Sequence, residues 1–136
     1  TFFITAEQLE EAMQTVMDSY AGGIKTNYRF NEKQLDIADY KIKQLMSLVS
    51  TLYAEDFQEL MYIYELKERL TVCRSVIAHL KARKETRWHS FAENLDYPNK
   101  DEKNFNKYVN SRLENGEIKI IIRDLVQGGK EYEHIN

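Results

Sequence analysis

The sequence predicts a mainly α fold, a three-helix antiparallel bundle followed by a loop and a β-hairpin. Three observations carry this. Apolar residues recur at helical spacing in three separate stretches, the 136 residues hold only one proline and five glycines, and Asn115-Gly116 sits between two short strand-like runs near the C-terminus. Hydrophobic residues make up 43% and charged residues 30%, which excludes a disordered or low-complexity chain. A chain of this length forms one domain and can bury roughly two-thirds of its unfolded surface.

The first helix begins at Thr5, an N-cap with Gln8 at the capping-box position. Leu9, Met13, Val16 and Tyr20 then line one face, and Gly22-Gly23 ends the helix. Ile24 to Phe30 has no clear period and reads as a loop. Asn31 caps the second helix, whose seam is Leu35, Ala38, Ile42, Leu45, Val49 and Leu52. A matching seam follows at Ile63, Leu66, Leu70, Cys73, Ile77 and Leu80. Asp56 and Glu59 have capping-box spacing, which favours a helix start at Asp56 after a turn near Ala54-Glu55. The spans are then 31–53 and 56–87, about 35 Å and about 48 Å long at roughly 1.5 Å per residue. One continuous helix is the alternative, because no glycine or proline lies between Asn31 and Tyr97 and the two seams share a phase. A continuous helix would place Asp56 and Glu59 on the apolar seam.

Periodicity stops after Arg87. Trp88 to Lys100 reads as an ordered loop containing Pro98, and Asp101 to Lys107 as a short helix. Tyr108 to Leu113 and Glu117 to Asp124 flank Asn115-Gly116 as a hairpin. Ile118, Ile120, Ile121 and Ile122 make its second strand apolar on both faces, so something outside the ribbon should cover one of them. The domain thus divides into a bundle at about 5–87, a loop and hairpin at about 88–126, and a tail at 127–136. The start lacks methionine and helices begin almost at once, so the chain is expected to be part of something longer.

The formal net charge of −3 disfavours general nucleic-acid binding. Residues 65 to 90 are the exception to the acidic balance, with seven Lys or Arg against three Glu. A charge run usually solvates a helix face, and the functional alternative is an acidic protein surface. One cysteine, Cys73, permits no internal disulfide and suits a reducing, cytoplasmic setting; on the seam it should be a buried, inert thiol. No apolar run approaches the roughly 20 residues that span a bilayer. Metal binding is not expected: Glu85 and His89 are four apart, no His-Glu-x-x-His occurs, His79 lies beside the seam and His134 lies in the tail. No Gly-x-Ser-x-Gly, Walker A or Gly-x-Gly-x-x-Gly pattern is present, and no catalytic or cofactor-binding residue is assigned.

One corner concentrates charge and aromatic area, Arg83-Lys84-Glu85-Thr86-Arg87-Trp88-His89. Arginine grips carboxylates and carbonyls through a planar fork, and tryptophan supplies rigid apolar surface, so such a corner can anchor a neighbouring domain. The alternative is a helix end packed on its own bundle. Ala82 to Arg87, followed by Trp88, His89 and Asp96-Tyr97-Pro98, resembles the helical C-terminal domain of the fumarate reductase and succinate dehydrogenase flavoproteins, in which a long helix closes on Arg-x-Glu-Ser-Arg before a His-containing loop and Asp-aromatic-Pro. Thr86 stands where those enzymes carry Ser, and Trp88 where the dehydrogenases carry Gly. Arg87-Trp88, Phe105 and Tyr108-Val109-Asn110-Ser111 resemble more closely the adenylylsulfate reductase alpha subunit type of the same superfamily. The resemblance implies a parent FAD-dependent oxidoreductase whose flavin-binding and capping domains lie upstream, with no activity in this part alone and FAD only in the parent. It implies that Arg83, Glu85, Arg87, Trp88, His89 and Tyr97 dock this domain on the flavin domain, and that an iron–sulfur subunit is an electron partner. A free-standing helical interaction module with a basic surface is the alternative.

Overall fold

The computed structural model describes residues 4–87 and 92–124. The elements run in the order α1 (Ala6–Tyr20), a 3-10 turn (Ile24–Thr26), β1 (Arg29–Phe30), α2 (Glu32–Val49), α3 (Phe57–Ala82), β2 (Glu93–Asn94), α4 (Glu102–Phe105), β3 (Lys107–Glu114) and β4 (Glu117–Asp124). The three long helices pack as a bundle, and the hairpin β3–β4 lies against α3.

Each long helix starts where a side chain can take an orphan N–H. Thr5 Oγ1 accepts from Gln8 N at 3.1 Å while Gln8 Oε1 accepts from Thr5 N at 3.0 Å. Asn31 Oδ1 accepts from Gln34 N and Asp56 Oδ1 from Glu59 N, both at 2.8 Å. The Asp56 cap settles the question of continuity. α2 stops at Val49, α3 starts at Phe57, and Asp56 and Glu59 hold a helix start instead of burying two carboxylates in a seam. Both helices are shorter than the expected spans of 31–53 and 56–87. α2 ends four residues before Tyr53, and α3 ends five before Arg87, where Arg83 turns to extended backbone at φ −87° and ψ 95°.

The core is the set of three seams: Leu9, Met13 and Val16 from α1, Leu35, Ala38, Ile42, Leu45 and Val49 from α2, and Leu66, Leu70 and Ile77 from α3. Ile63, Cys73 and Leu80 are only partly buried at its margin. Cys73 is therefore not enclosed as its seam position predicts; it lines an open groove with Met13, Met17 and Val72. Burial still pushes its thiol above the ordinary range, with Arg69 pulling weakly the other way, so it remains a neutral thiol near pH 7.

The stretch 24–30 is more than a loop. β1 pairs in parallel with β2, with Glu93 N donating to Tyr28 O at 2.8 Å and Leu95 N to Phe30 O at 2.7 Å, and Phe30 is buried. A two-residue bridge across 64 positions leaves no periodic trace. The turn into it depends on Gly23. A Cβ there would lie 2.4 Å from Asp18 Cα, a backbone atom that cannot swing aside. Gly23→Ala is expected to cost about 1–3 kcal/mol by overpacking, read as a lower urea midpoint.

Asn115 (φ 50°) and Gly116 (φ 79°) form the tight turn of the hairpin, and all eight residues of each strand pair in register. Ser111 Oγ meets Ser75 Oγ of α3 at 2.8 Å, so Val109, Ser111 and Leu113, with their partners Ile122, Ile120 and Ile118, face that helix. α3 is thus the cover expected for one side of the ribbon, although Leu113 and Ile122 stay about half exposed. Beneath the tip, Arg74 is buried. Its Nη1 donates to Gly116 O at 3.0 Å, and Nη2 lies 3.8 Å from Glu117 Oε2. Arg74→Ala should leave that carbonyl without its donor and cost about 1–3 kcal/mol. Faster amide exchange confined to residues around Gly116 would report it.

Candidate functional site: the corner after α3

Where α3 ends, the chain must satisfy the last helical carbonyls and reverse direction. It does so around one carboxylate. Glu85 has no exposed side-chain surface. Its Oε1 accepts from Arg83 Nη1 at 2.8 Å and Arg87 Nε at 2.7 Å; its Oε2 accepts from Arg87 Nη2 at 3.0 Å and the backbone N–H of Asp101 at 2.7 Å. Burial pushes this carboxyl up, but the Arg87 fork, the Asp101 N–H and Arg83 together outweigh burial and hold it below the usual glutamate range. The Glu85 bonds in turn raise Arg87 above its ordinary value, and Arg87 also reaches Glu102 at 3.1 Å.

Arg83 faces two ways. Besides Glu85, it donates from Nη1 to Phe105 O at 2.7 Å and from Nη2 to Lys107 O at 2.8 Å. The end of α3 is thereby tied to the start of the hairpin. Thr86 ties it to the loop that follows. Its hydroxyl accepts from Asn94 N at 3.0 Å and donates to Tyr97 O at 2.7 Å, and its own N–H donates to Asn99 O at 3.1 Å. Asn94 Oδ1 then accepts from Asp96 N and Tyr97 N. Asp96 Oδ2 accepts from Glu32 N at 2.7 Å, a second carboxamide-or-carboxylate cap on α2 beside Asn31. Asp96-Tyr97-Pro98 is therefore a connection from the corner to the bundle.

The structure brings Arg83, Glu85 and Arg87 into direct contact and places Tyr97 at the rim, 38% exposed. Trp88 and His89 lie outside the described residues, as does His134. His79 is half-buried, and burial, then Arg83, lowers its pKa. Thr86 and Asp96, part of the quoted motifs but not of the expected docking set, belong to the same network, as do Asn94 and Asp101, which residue type alone does not mark. Asn94 and Asp96 carried a weak signal, being short polar side chains just ahead of a proline. An open cleft of about 420 Å³ adjoins the corner, lined by Arg83, Arg87, Lys100, Phe105 and Lys107 among others. All four of these cations already face carboxylates: Arg83 and Arg87 bind Glu85, and Lys100 lies 2.7 Å from Glu102. Lys107 lies 3.5 Å from Asp124.

No group of His, Cys, Asp and Glu among the described residues could hold a metal ion. Among the described residues the one parallel pairing is two residues long, and no glycine-rich strand-to-helix turn occurs. No described helix is long and apolar enough to cross a membrane.

Comparison with known proteins places this corner and bundle in a lineage. Over 97 residues the chain is 29% identical to the adenylylsulfate reductase subunit alpha of Megalodesulfovibrio gigas, covering 71% of this chain and 15% of that protein. The solved adenylylsulfate reductase of Archaeoglobus fulgidus superposes with a TM-score of 0.87 at 32% identity, over 92% of this chain and 20% of that one. The E. coli quinol fumarate reductase shares the fold, with a TM-score of 0.78 at 18% identity over 90% of this chain and 21% of that one. The chain thus spans about a fifth or less of the length of these relatives. The fumarate reductase flavoprotein C-terminal family matches residues 10–131, nearly all of the sequence, and the chain belongs to that family.

Proposed function

We propose that this chain is the C-terminal helical domain of a FAD-dependent oxidoreductase of the fumarate reductase and adenylylsulfate reductase type, and that it serves as a docking body for the flavin-binding part of the same protein. The observation that carries this reading is the Glu85 corner, which binds the end of α3, the loop 92–101 and the root of the hairpin into one stiff unit. Rigid, arginine-rich surfaces suit permanent interfaces, because little side-chain entropy is lost on docking. Tyr97 at the rim, with Trp88 and His89 beside the corner in sequence, would meet the flavin domain, while Arg83, Glu85 and Arg87 act behind them as positioning residues. FAD would bind in the parent protein outside this chain, and these residues take no step in its chemistry. An iron–sulfur subunit would exchange electrons with the parent, in a cytoplasmic complex.

The family match and the short share of each relative's length support this reading over a free-standing module. So does the geometry, since Arg83 and Arg87 are already engaged with Glu85. The test is to produce this chain and the flavin-binding part separately and mix them. Co-elution that is lost in Tyr97→Asp, with FAD absorbance only in the other part, is the expected result. Bound flavin in this chain alone, or no association with the wild-type pair, would refute it.

A further inference from the structure

The hairpin has two edges, and they are not equivalent. With a two-residue turn, Glu114 and Glu117 form the first hydrogen-bonded pair, followed by Arg112 with Lys119, Asn110 with Ile121 and Tyr108 with Arg123. The N–H and C=O groups of Ile118, Ile120 and Ile122 therefore point away from β3. On β3 the matching outward carbonyl of Lys107 is taken by Arg83, which also holds Phe105 O, so that edge is closed at its root. α3 covers a face of the ribbon, not the β4 edge. Among the described residues, nothing pairs with the outward groups of β4.

The side of the ribbon turned from α3 carries Arg112, Lys119, Ile121 and Arg123 along its length and the two carboxylates Glu114 and Glu117 beside the turn. Arg112 stands directly opposite Lys119, a like-charge pair that is unfavourable in a sheet. Arg112 is answered by Glu114, and Glu117 leans toward Arg74. Lys119 and Arg123 have no anionic partner among the described residues. An exposed eight-residue strand edge is normally blunted or covered, because it templates further pairing. Among the described residues the edge has no partner, and it is flanked by Lys119 and Arg123 on one side and by Ile118, Ile120 and Ile122 on the other.

We propose that β4 accepts an extended, acidic segment of a partner protein as a third strand. Main-chain bonds to Ile118, Ile120 and Ile122 supply affinity, as in β-augmentation generally. The period-2 alternation of a strand supplies selectivity: carboxylates on one side meet Lys119 and Arg123, and apolar residues on the other extend the isoleucine row above α3. The strand edge uses none of the side chains that form the Glu85 corner.

The test uses the full-length protein and a fluorescein-labelled peptide, acetyl-Glu-Val-Glu-Val-Glu-Val-Glu-amide, followed by anisotropy. Saturable binding is expected, at least tenfold tighter than for the same peptide with Lys in place of Glu. Ile122→Pro removes one outward N–H without touching the bonds to β3, a change that edge strands tolerate, and should abolish binding with the circular dichroism spectrum unchanged. Should that variant fail to fold, the surface double variant K119E/R123E serves instead and should reverse the preference toward the lysine peptide. Equal binding of both peptides, undiminished binding to a folded Ile122→Pro, an unchanged preference in the double variant, or no saturable binding at all would overturn the proposal.

Discussion

Replacing Glu85 by alanine should lower stability by about 3–5 kcal/mol, the range for breaking a buried ion pair by removing one partner. The size follows from what is left behind. Arg83 and Arg87 would keep their charges close together in a site where Glu85 exposes no side-chain surface, and the Asp101 N–H would lose its acceptor. Against a typical total of about 5–15 kcal/mol, such a loss brings the domain close to unfolding. Glu85→Gln keeps the shape and one acceptor oxygen but cannot answer two guanidinium groups, so it should fall between alanine and the native residue. Urea unfolding at neutral pH measures both.

The pH dependence gives a second reading of the same group. Its carboxyl lies below the ordinary value of 4.5 in the folded state. The unfolded chain therefore takes up the proton first as pH falls. The stabilisation from ionised Glu85 is complete well above the unfolded value and is lost as pH drops through it toward the folded one. Glu10, lowered by its bonds from Tyr62 and Arg69, titrates in the same window and adds to the slope. The native protein should therefore lose more stability between neutral pH and about pH 3.5 than Glu85→Gln does, Glu10 being common to both. Equal losses would show that Glu85 has no linked proton.

The corner explains why some of the fold could be read from residues alone and some could not. Caps and seams are local. Thr5, Asn31 and Asp56 each act on an N–H three residues on, and Leu35 to Val49 repeat within a single helix, so spacing alone locates them. Asn115-Gly116 is local as well, since the φ values it must adopt belong to those two residues. The end of α3 is different. Lys81, Ala82 and Arg83 are good helix formers and nothing in their own sequence stops the helix. It stops because Arg83 is drawn to Phe105 O and Lys107 O, and Thr86 to Asn94, all bonds to chain much further on. The same applies to β1 and β2, to Asp96 capping a helix 64 residues earlier, and to the buried Arg74. Charge and residue type marked Arg83, Glu85 and Arg87 as special. They could not show that the three bind one another, nor that Asp101 supplies a backbone donor.

Leu70→Ala is expected to cost about 2–5 kcal/mol, and Leu60→Ala, the same change ten residues earlier on the same helix, well under half as much. α3 carries apolar residues on two opposite sides, so it can be covered from more than one direction. At about 100° per residue, Leu66, Leu70 and Ile77 share one side of the helix, and Phe57, Leu60, Met61 and Tyr64 share the opposite one. The first side is the bundle core, with Leu70 completely buried. The second is 40–73% exposed in this chain, with the hairpin lying over the helix further toward its C-terminal end. Truncating Leu70 removes transfer energy and leaves a cavity that α1 and α2 cannot close, whereas water already reaches Leu60 and no cavity forms. Thermal unfolding of the two variants in this chain separates the faces directly. A comparable loss at Leu60 would mean that the outer stripe is already covered, and that the helix has no free side left for another body to meet.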